Sequence, residues 1–316
     1  MAVLPQGRTA VEGIPRVKAT PPLRVGILGL GRIGRVVATN LQASGFSVAT
    51  VDRPSTRDFA ATGGSLKPDA ARLASESDIV VSALASEAQM EEAFLSPAGL
   101  LAGTHRRLIV IEMGTFPIAL KRRLADAMTL RGGAMLDCPV SGTPPVVARR
   151  EAMLFVSGDR DVVERAAPVL DGISARRIYV GAFGAGTATK LVANFLVTSS
   201  TLALAEAFVL GTKSGLDPKL MIEAIGNSFA GSHVFDFRAP MMAARTYRPA
   251  PGPANIVWKD LQYIREQSEA LHLATPVLNA SLEWYGRLVN EGRGEDECAA
   301  VYEILLAESA RRLADR

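Results

Sequence analysis

Lys190 and Asn194 stand at i and i+4 in the run Gly184-Ala185-Gly186-Thr187-Ala188-Thr189-Lys190-Leu191-Val192-Ala193-Asn194, downstream of Asp137-Cys138-Pro139-Val140-Ser141-Gly142-Thr143. On a helix, residues at that spacing share a face and act on one point. A Lys amine so placed can give a proton to a carbonyl oxygen and take it back from a hydroxyl, while the Asn holds the substrate or orients the amine. The role needs an amine pKa moved down toward working pH, which burial supplies. The upstream turn offers a Ser hydroxyl and small residues, Ser141, Gly142 and Thr143, whose backbone N–H groups can meet a carboxylate. Gly184 and Gly186 let the backbone come close where the helix begins.

Further upstream, Gly29-Leu30-Gly31-Arg32-Ile33-Gly34 has the spacing G-x-G-x-x-G. It follows the apolar run Val25 to Leu28, opens a helical segment ending near Gly45, and leads to a second strand that terminates at Asp52. Backbone N–H groups at a helix start reach a pyrophosphate only where no Cβ intervenes, so these six residues are the expected cofactor loop. Asp52 would accept hydrogen bonds from an adenosine ribose and repel a 2′-phosphate; Arg53, beside it, would pair with that phosphate. NAD or NADP is therefore expected, with a lean to NAD because the Asp holds the strand-end position.

Positioning these groups takes a parallel sheet followed by helices. From Leu23 to about Val180, short apolar runs alternate with helical segments, the pattern of a doubly wound α/β sheet. Strands are expected at Arg24 to Leu28, Ser47 to Val51, Asp78 to Leu84, Arg107 to Glu112, Met135 to Cys138, Met153 to Ser157 and Arg177 to Val180. Helices are expected at Ile33 to Ala43 and Ala119 to Arg131. From Gly184 onward long helical patterns take over, beginning with a helix over about Thr187 to Ser214. Asp217-Pro218 and Thr275-Pro276 read as helix starts, and Tyr247 to Pro253 as a loop. The expected division is a tail over 1–22, a Rossmann-type domain over 23–183 and an all-α domain over 184–316.

At 48% apolar and 21% charged residues, the chain is expected to be soluble and long enough to bury two cores. Its 35 Lys and Arg against 32 Asp and Glu are spread evenly, which provides neither a basic stripe for nucleic acid nor a polybasic membrane patch. Two Cys and three scattered His argue against a disulfide framework and against a metal site, and a cytoplasmic location is the expectation. The longest apolar runs are interrupted by Gly, Ser or charge, so a transmembrane helix is not expected.

Taken together, the Gly-rich loop, Asp137-x-Pro-Val-Ser-Gly, Gly184-x-Gly-x-x-x-Lys190-x-x-x-Asn194 and Trp258-Lys259-Asp260-Leu261 make the chain resemble the β-hydroxyacid dehydrogenase family. The resemblance covers nearly all of the chain after the tail. It implies reversible hydride transfer between a nicotinamide cofactor and a small β-hydroxy acid or its semialdehyde, in a cleft between the two domains. It further implies Lys190 as general acid/base, with Ser141, Gly142 and Thr143 on the substrate carboxylate. Asn194 and Lys259 become supporting substrate contacts, Lys259 also reaching the cofactor, and Leu84 and Thr115 become cofactor contacts. A homodimer or homotetramer through the helical domain is implied as well. The chain departs from the family's usual residues at Thr143-Pro144-Pro145, which puts the substrate's size or polarity in question, at Ala85, in the loop beside the adenine and ribose, at Glu151, which alters a turn, and at Gly114, beside Thr115. Phe229, His233, Phe235 and Phe237 are read as core of the second domain. The alternatives are imine or other carbonyl reduction on the same scaffold, which Lys190 disfavours, and a non-catalytic dinucleotide-binding interaction module, which Lys190 and Asn194 together disfavour.

Overall fold

The computed structural model describes residues 23–314; the expected tail lies outside the described residues. Strands β1 (Arg24–Leu28), β2 (Ser47–Val51), β3 (Ser65–Lys67), β4 (Ile79–Ser82), β5 (Ile109–Glu112), β6 (Ala134–Asp137), β7 (Val140–Ser141), β8 (Met153–Ser157) and β9 (Arg176–Gly181) form one sheet. Its order is β3-β2-β1-β4-β5-β6-β8-β7, with β9 on β8. From β3 to β6 all pairs are parallel, and β8 turns antiparallel to β6 with Asp137 opposite Ser157. The central strands read as continuous Val and Ile runs because both faces are covered. Helices α1 (Arg32–Ala43) and α6 (Arg160–Ile173) pack on one face, and α2 (Ala70–Ser75), α3 (Glu87–Leu95) and α4 (Ile118–Thr129) on the other. All seven expected strands are present, three with the expected ends and four with ends shifted by one or two residues. The unexpected β3 and β7 are too short to carry a periodic signal.

After a short α5 (Pro144–Ala148) within the sheet half, the chain becomes helical at α7 (Ala185–Lys213), followed by α8 (Pro218–Gly226), α9 (His233–Ala244), α10 (Ala254–Ala270), α11 (Pro276–Leu288) and α12 (Val301–Ala314). These helices bury their own core around Phe208, Phe235, Leu261, Tyr285 and Tyr302. Helix α7 is, contrary to expectation, long and apolar enough to cross a bilayer. Its apolar character has another use, since Leu191, Leu202, Ala205 and Phe208 line the helical core. The expected aromatic cluster is not one, for Phe235 is buried while Phe237 is 44% exposed and Phe229 wholly exposed. A helical period puts only one of those positions on the inner face.

Candidate active site

The strand order reverses between β1 and β4, and open α/β sheets bind ligands in the crevice beyond such a point. There Gly29 adopts φ +92°, and a Cβ on it would lie 2.6 Å from the Ala83 carbonyl oxygen, so the loops after β1 and β4 meet backbone to backbone. A Cβ on Gly34 would fall 1.8 Å from the Gly29 carbonyl oxygen, which presses the first turn of α1 onto the strand end. Gly31 is the opposite case, with nothing within 4 Å of the Cβ it lacks. The first amides of α1 carry no side-chain cap and no acidic neighbour, and they open onto that space. Uncapped helix amides behind bare glycines fit a dinucleotide pyrophosphate.

Leu30 and Ile33 seat this loop on the sheet core, and Leu84 is half-buried after β4. Arg32 leaves the loop and donates to the carbonyls of Ala250 and Pro251 at 2.8 and 3.3 Å, joining the sheet half to the helical half. Asp52 follows β2 and is exposed, with Arg57 Nε 3.2 Å from its Oδ1. Arg53 points elsewhere, 3.9 Å from Glu92.

The two halves of the signature meet through a part that carried no expected role. Asp137, fully buried at the end of β6, accepts the Thr187 amide at 2.7 Å and the Thr187 hydroxyl at 2.7 Å, and so caps α7 from another strand. Ser157, its partner across β8, accepts the Gly186 amide at 2.9 Å. A Cβ on Gly186 would lie 2.6 Å from both the Asp137 and Phe155 carbonyl oxygens, so only glycine allows the helix this close. Lys121 of α4 is buried to 0% beside Asp137 Oδ1 at 2.8 Å and Glu112 Oε2 at 2.5 Å. Burial alone would lower the Lys121 amine, but the two carboxylates outweigh it and hold the amine above its ordinary value. Burial alone would raise Asp137, yet Lys121 and Thr187 keep it below the usual carboxylate range. Glu112 stays raised by burial. Lys121, Glu112, Ser157 and Thr187 were not among the expected site residues. The run Lys121-Arg122-Arg123 looks like a solvated helix face, and only the i, i+3, i+7 placement of Lys121 with the buried Leu124 and Met128 hints otherwise.

One turn into α7 sits Lys190, whose amine has no hydrogen-bond or ion-pair partner among the described residues. Burial lowers its pKa, with Lys259 adding to the effect and Asp260 opposing it. A turn later Asn194 Nδ2 donates to Asp260 Oδ2 at 2.7 Å, and Asp260 Oδ1 lies 3.2 Å from Lys259 Nζ. Lys259 also donates to the Thr115 carbonyl at 2.9 Å, across the gap between the halves. Lys190, Asn194, Lys259 and Thr115 are thus gathered in one place. Gly114 is closely packed, for a Cβ there would lie 2.3 Å from the Phe116 ring and 2.9 Å from Glu112 Oε1, so any side chain would have to displace one of them.

Ser141 ends β7, paired with Met153, and among the described residues neither it nor Thr143 hydrogen-bonds to Lys190 or Asn194. Gly142 is exposed, its missing Cβ 2.8 Å from that of Ala152. Thr143 has φ −79° and opens α5, so the Thr-Pro-Pro departure extends the turn into a helix start without a left-handed residue. The left-handed turn before β8 falls on Arg150 at φ +59°, next to Glu151.

Residues 24–181 match the family model described as the NAD binding domain of 6-phosphogluconate dehydrogenase. Residues 184–305 match that of the NAD-binding region of NADP-dependent 3-hydroxyisobutyrate dehydrogenase. The chain is 28% identical to NAD-dependent L-serine dehydrogenase of Pseudomonas aeruginosa, over 89% of this chain and 97% of that one. It is 29% identical to L-threonate dehydrogenase of Cupriavidus necator, over 89% and 95%. Among solved structures, 3-hydroxyisobutyrate dehydrogenase of Salmonella typhimurium superposes with TM-score 0.78 at 25% identity, covering 89% of this chain and 99% of that one.

Proposed function

We propose, since the chain belongs to the β-hydroxyacid dehydrogenase family, that it transfers hydride reversibly between NAD or NADP and a small β-hydroxy acid or its semialdehyde. The observation that carries this reading is Lys190, a desolvated amine without a partner, beside Asn194, Asp260 and Lys259. When bound, the nicotinamide supplies or accepts the hydride at the substrate carbon. Lys190 protonates the carbonyl oxygen in reduction and takes the proton back in oxidation. Asn194, whose amide nitrogen is held by Asp260, holds the substrate or orients the Lys amine. Ser141, Gly142 and Thr143 receive the substrate carboxylate, and Lys259, steadied by Asp260 and the Thr115 carbonyl, closes the site from the helical half. In this reading 23–183 is the cofactor unit. The unit 184–316 closes the cleft and pairs subunits into a homodimer or homotetramer, for which Val192, Leu196 and Leu210 of α7, each more than 60% exposed, provide an apolar face.

The wild-type protein is expected to oxidise NADH or NADPH only when a small carboxylate-bearing semialdehyde is present, read as loss of absorbance across a substrate panel. Cofactor binding without turnover of any semialdehyde would end the reading. For the cofactor we keep the lean to NAD, because Asp52 stands exposed at the strand end and its pairing with Arg57 leaves its second oxygen free for a ribose diol. Replacing Asp52 with Asn removes the anion while sparing Arg53 and Arg57. The ratio of kcat/KM for NADPH over NADH is expected to rise roughly tenfold or more in that variant. A wild-type enzyme that already prefers NADPH tenfold would sink the lean.

A further inference from the structure

The buried cluster around Lys121 lies outside every role assigned so far, and it connects the two pieces that must meet during hydride and proton transfer. From one ammonium, Lys121 Nζ reaches Gly114 O at 2.6 Å, Glu112 Oε2 at 2.5 Å, Asp137 Oδ1 at 2.8 Å and Thr187 Oγ1 at 2.8 Å. Glu112 Oε1 in turn accepts the Gly114 amide at 2.8 Å. Both polar groups of Gly114 are therefore held by this ion pair. The next residue, Thr115, is the one whose carbonyl receives Lys259 from across the cleft. On the other side, Asp137 and Thr187 fix the first turn of α7, the helix that carries Lys190 one turn later.

The geometry points to Lys121 as a positioning residue that sets the Gly114-Thr115 turn and the Lys190 helix in one fixed relation to each other. The inference rests on the proposed role of Lys190. A buried ion cluster is a poor source of stability, because desolvation offsets most of the attraction, and a well-packed apolar replacement serves folding as well. What such a cluster does supply is direction. Three ammonium protons and two carboxylates accept only one arrangement of strand, turn and helix, whereas an apolar contact tolerates sliding by fractions of an ångström. Displacement on the scale of 1 Å at a reacting centre is enough to cost about 100-fold in rate.

The test compares wild type, Lys121→Met, and the double variant Glu112→Gln with Lys121→Met, which removes the cation and one of its two carboxylates and leaves Asp137 still held by Thr187 and Ser157. Each protein is titrated with NADH or NADPH by fluorescence, so that kcat is expressed per cofactor-binding site and an unfolded fraction does not count. Both variants should keep cofactor Kd within about threefold of wild type while kcat per site falls about 100-fold. A cluster that serves only stability would lower the number of binding sites or the melting temperature and leave kcat per site unchanged. Unchanged kcat per site in a folded variant overturns the inference, and so does failure of both variants to yield any cofactor-binding protein, since that assigns the cluster to the fold. A wild type that binds cofactor but reduces no semialdehyde overturns the functional reading first, a result visible before any variant is made.

Discussion

Lys190→Ala is expected to lower kcat by about 10²- to 10⁴-fold while NAD(P)H affinity stays near that of wild type. The direction follows from the site, since no other amine or acid in the cluster is both desolvated and unengaged. Lys259 is committed to Asp260 and the Thr115 carbonyl, and Asp260 to Asn194 and Lys259. The substitution leaves those pairs intact and strands no charge, so the melting temperature should stay within about 3 °C. The pH profile gives a second handle. Burial holds the Lys190 amine below its ordinary value of 10.5. Reduction needs the protonated amine, so its kcat should fall as pH rises through the depressed value; oxidation needs the neutral amine and should rise there. Both inflections should vanish in the Ala variant. Turnover near wild type, or an inflection that persists without Lys190, would remove it from the mechanism.

Gly186→Ala should damage stability and turnover together. Its Cβ would meet two backbone carbonyl oxygens at 2.6 Å, those of Asp137 and Phe155, and backbone oxygens of a sheet do not step aside as a flexible side chain would. The helix must lift instead, and with it go the Thr187 amide from Asp137 and the Gly186 amide from Ser157. A cost of about 3 kcal/mol or more is expected, roughly 6–12 °C in melting temperature by calorimetry. Because Lys190 lies one turn further along the same helix, the folded fraction should also turn over slowly. A variant as stable as wild type would mean that α7 has room the packing does not offer.

Much of this was legible in the chain itself. The glycines at 29 and 34 stand where a side chain would obstruct backbone and Gly31 where the space is open, a local arrangement that the G-x-G-x-x-G spacing expresses. Lys190 and Asn194 are legible for the same reason, as i and i+4 on one helix. Lys121 was not. Its value comes from Glu112, Asp137 and Thr187, which lie on two strands and another helix, and nothing in Leu120-Lys121-Arg122-Arg123 distinguishes the buried cation from its solvated neighbours. Gly114 belongs to the same class. In the sequence it reads as a departure from a Ser, and only the Phe116 ring, folded back over it, shows why a side chain fits poorly there. Asp137 stood within a motif and still lacked a role, because capping a helix from a distant strand leaves no trace in sequence distance.

Helix α7 has one more consequence. Its 29 residues make a rod about 43 Å long, clamped at one end by Asp137 and Ser157 and embedded at the other around Phe208. One continuous helix therefore joins the sheet to the helical core, and the remaining contacts between the halves reach across the cleft at its rim. There single contacts span the gap, Arg32 to the carbonyls at 250 and 251, Glu87 to the Tyr263 hydroxyl, and Thr115 to Lys259. Lys190 rides on α7 and not on these contacts, so in the proposed mechanism the proton donor is tied to the helix that joins the two cores.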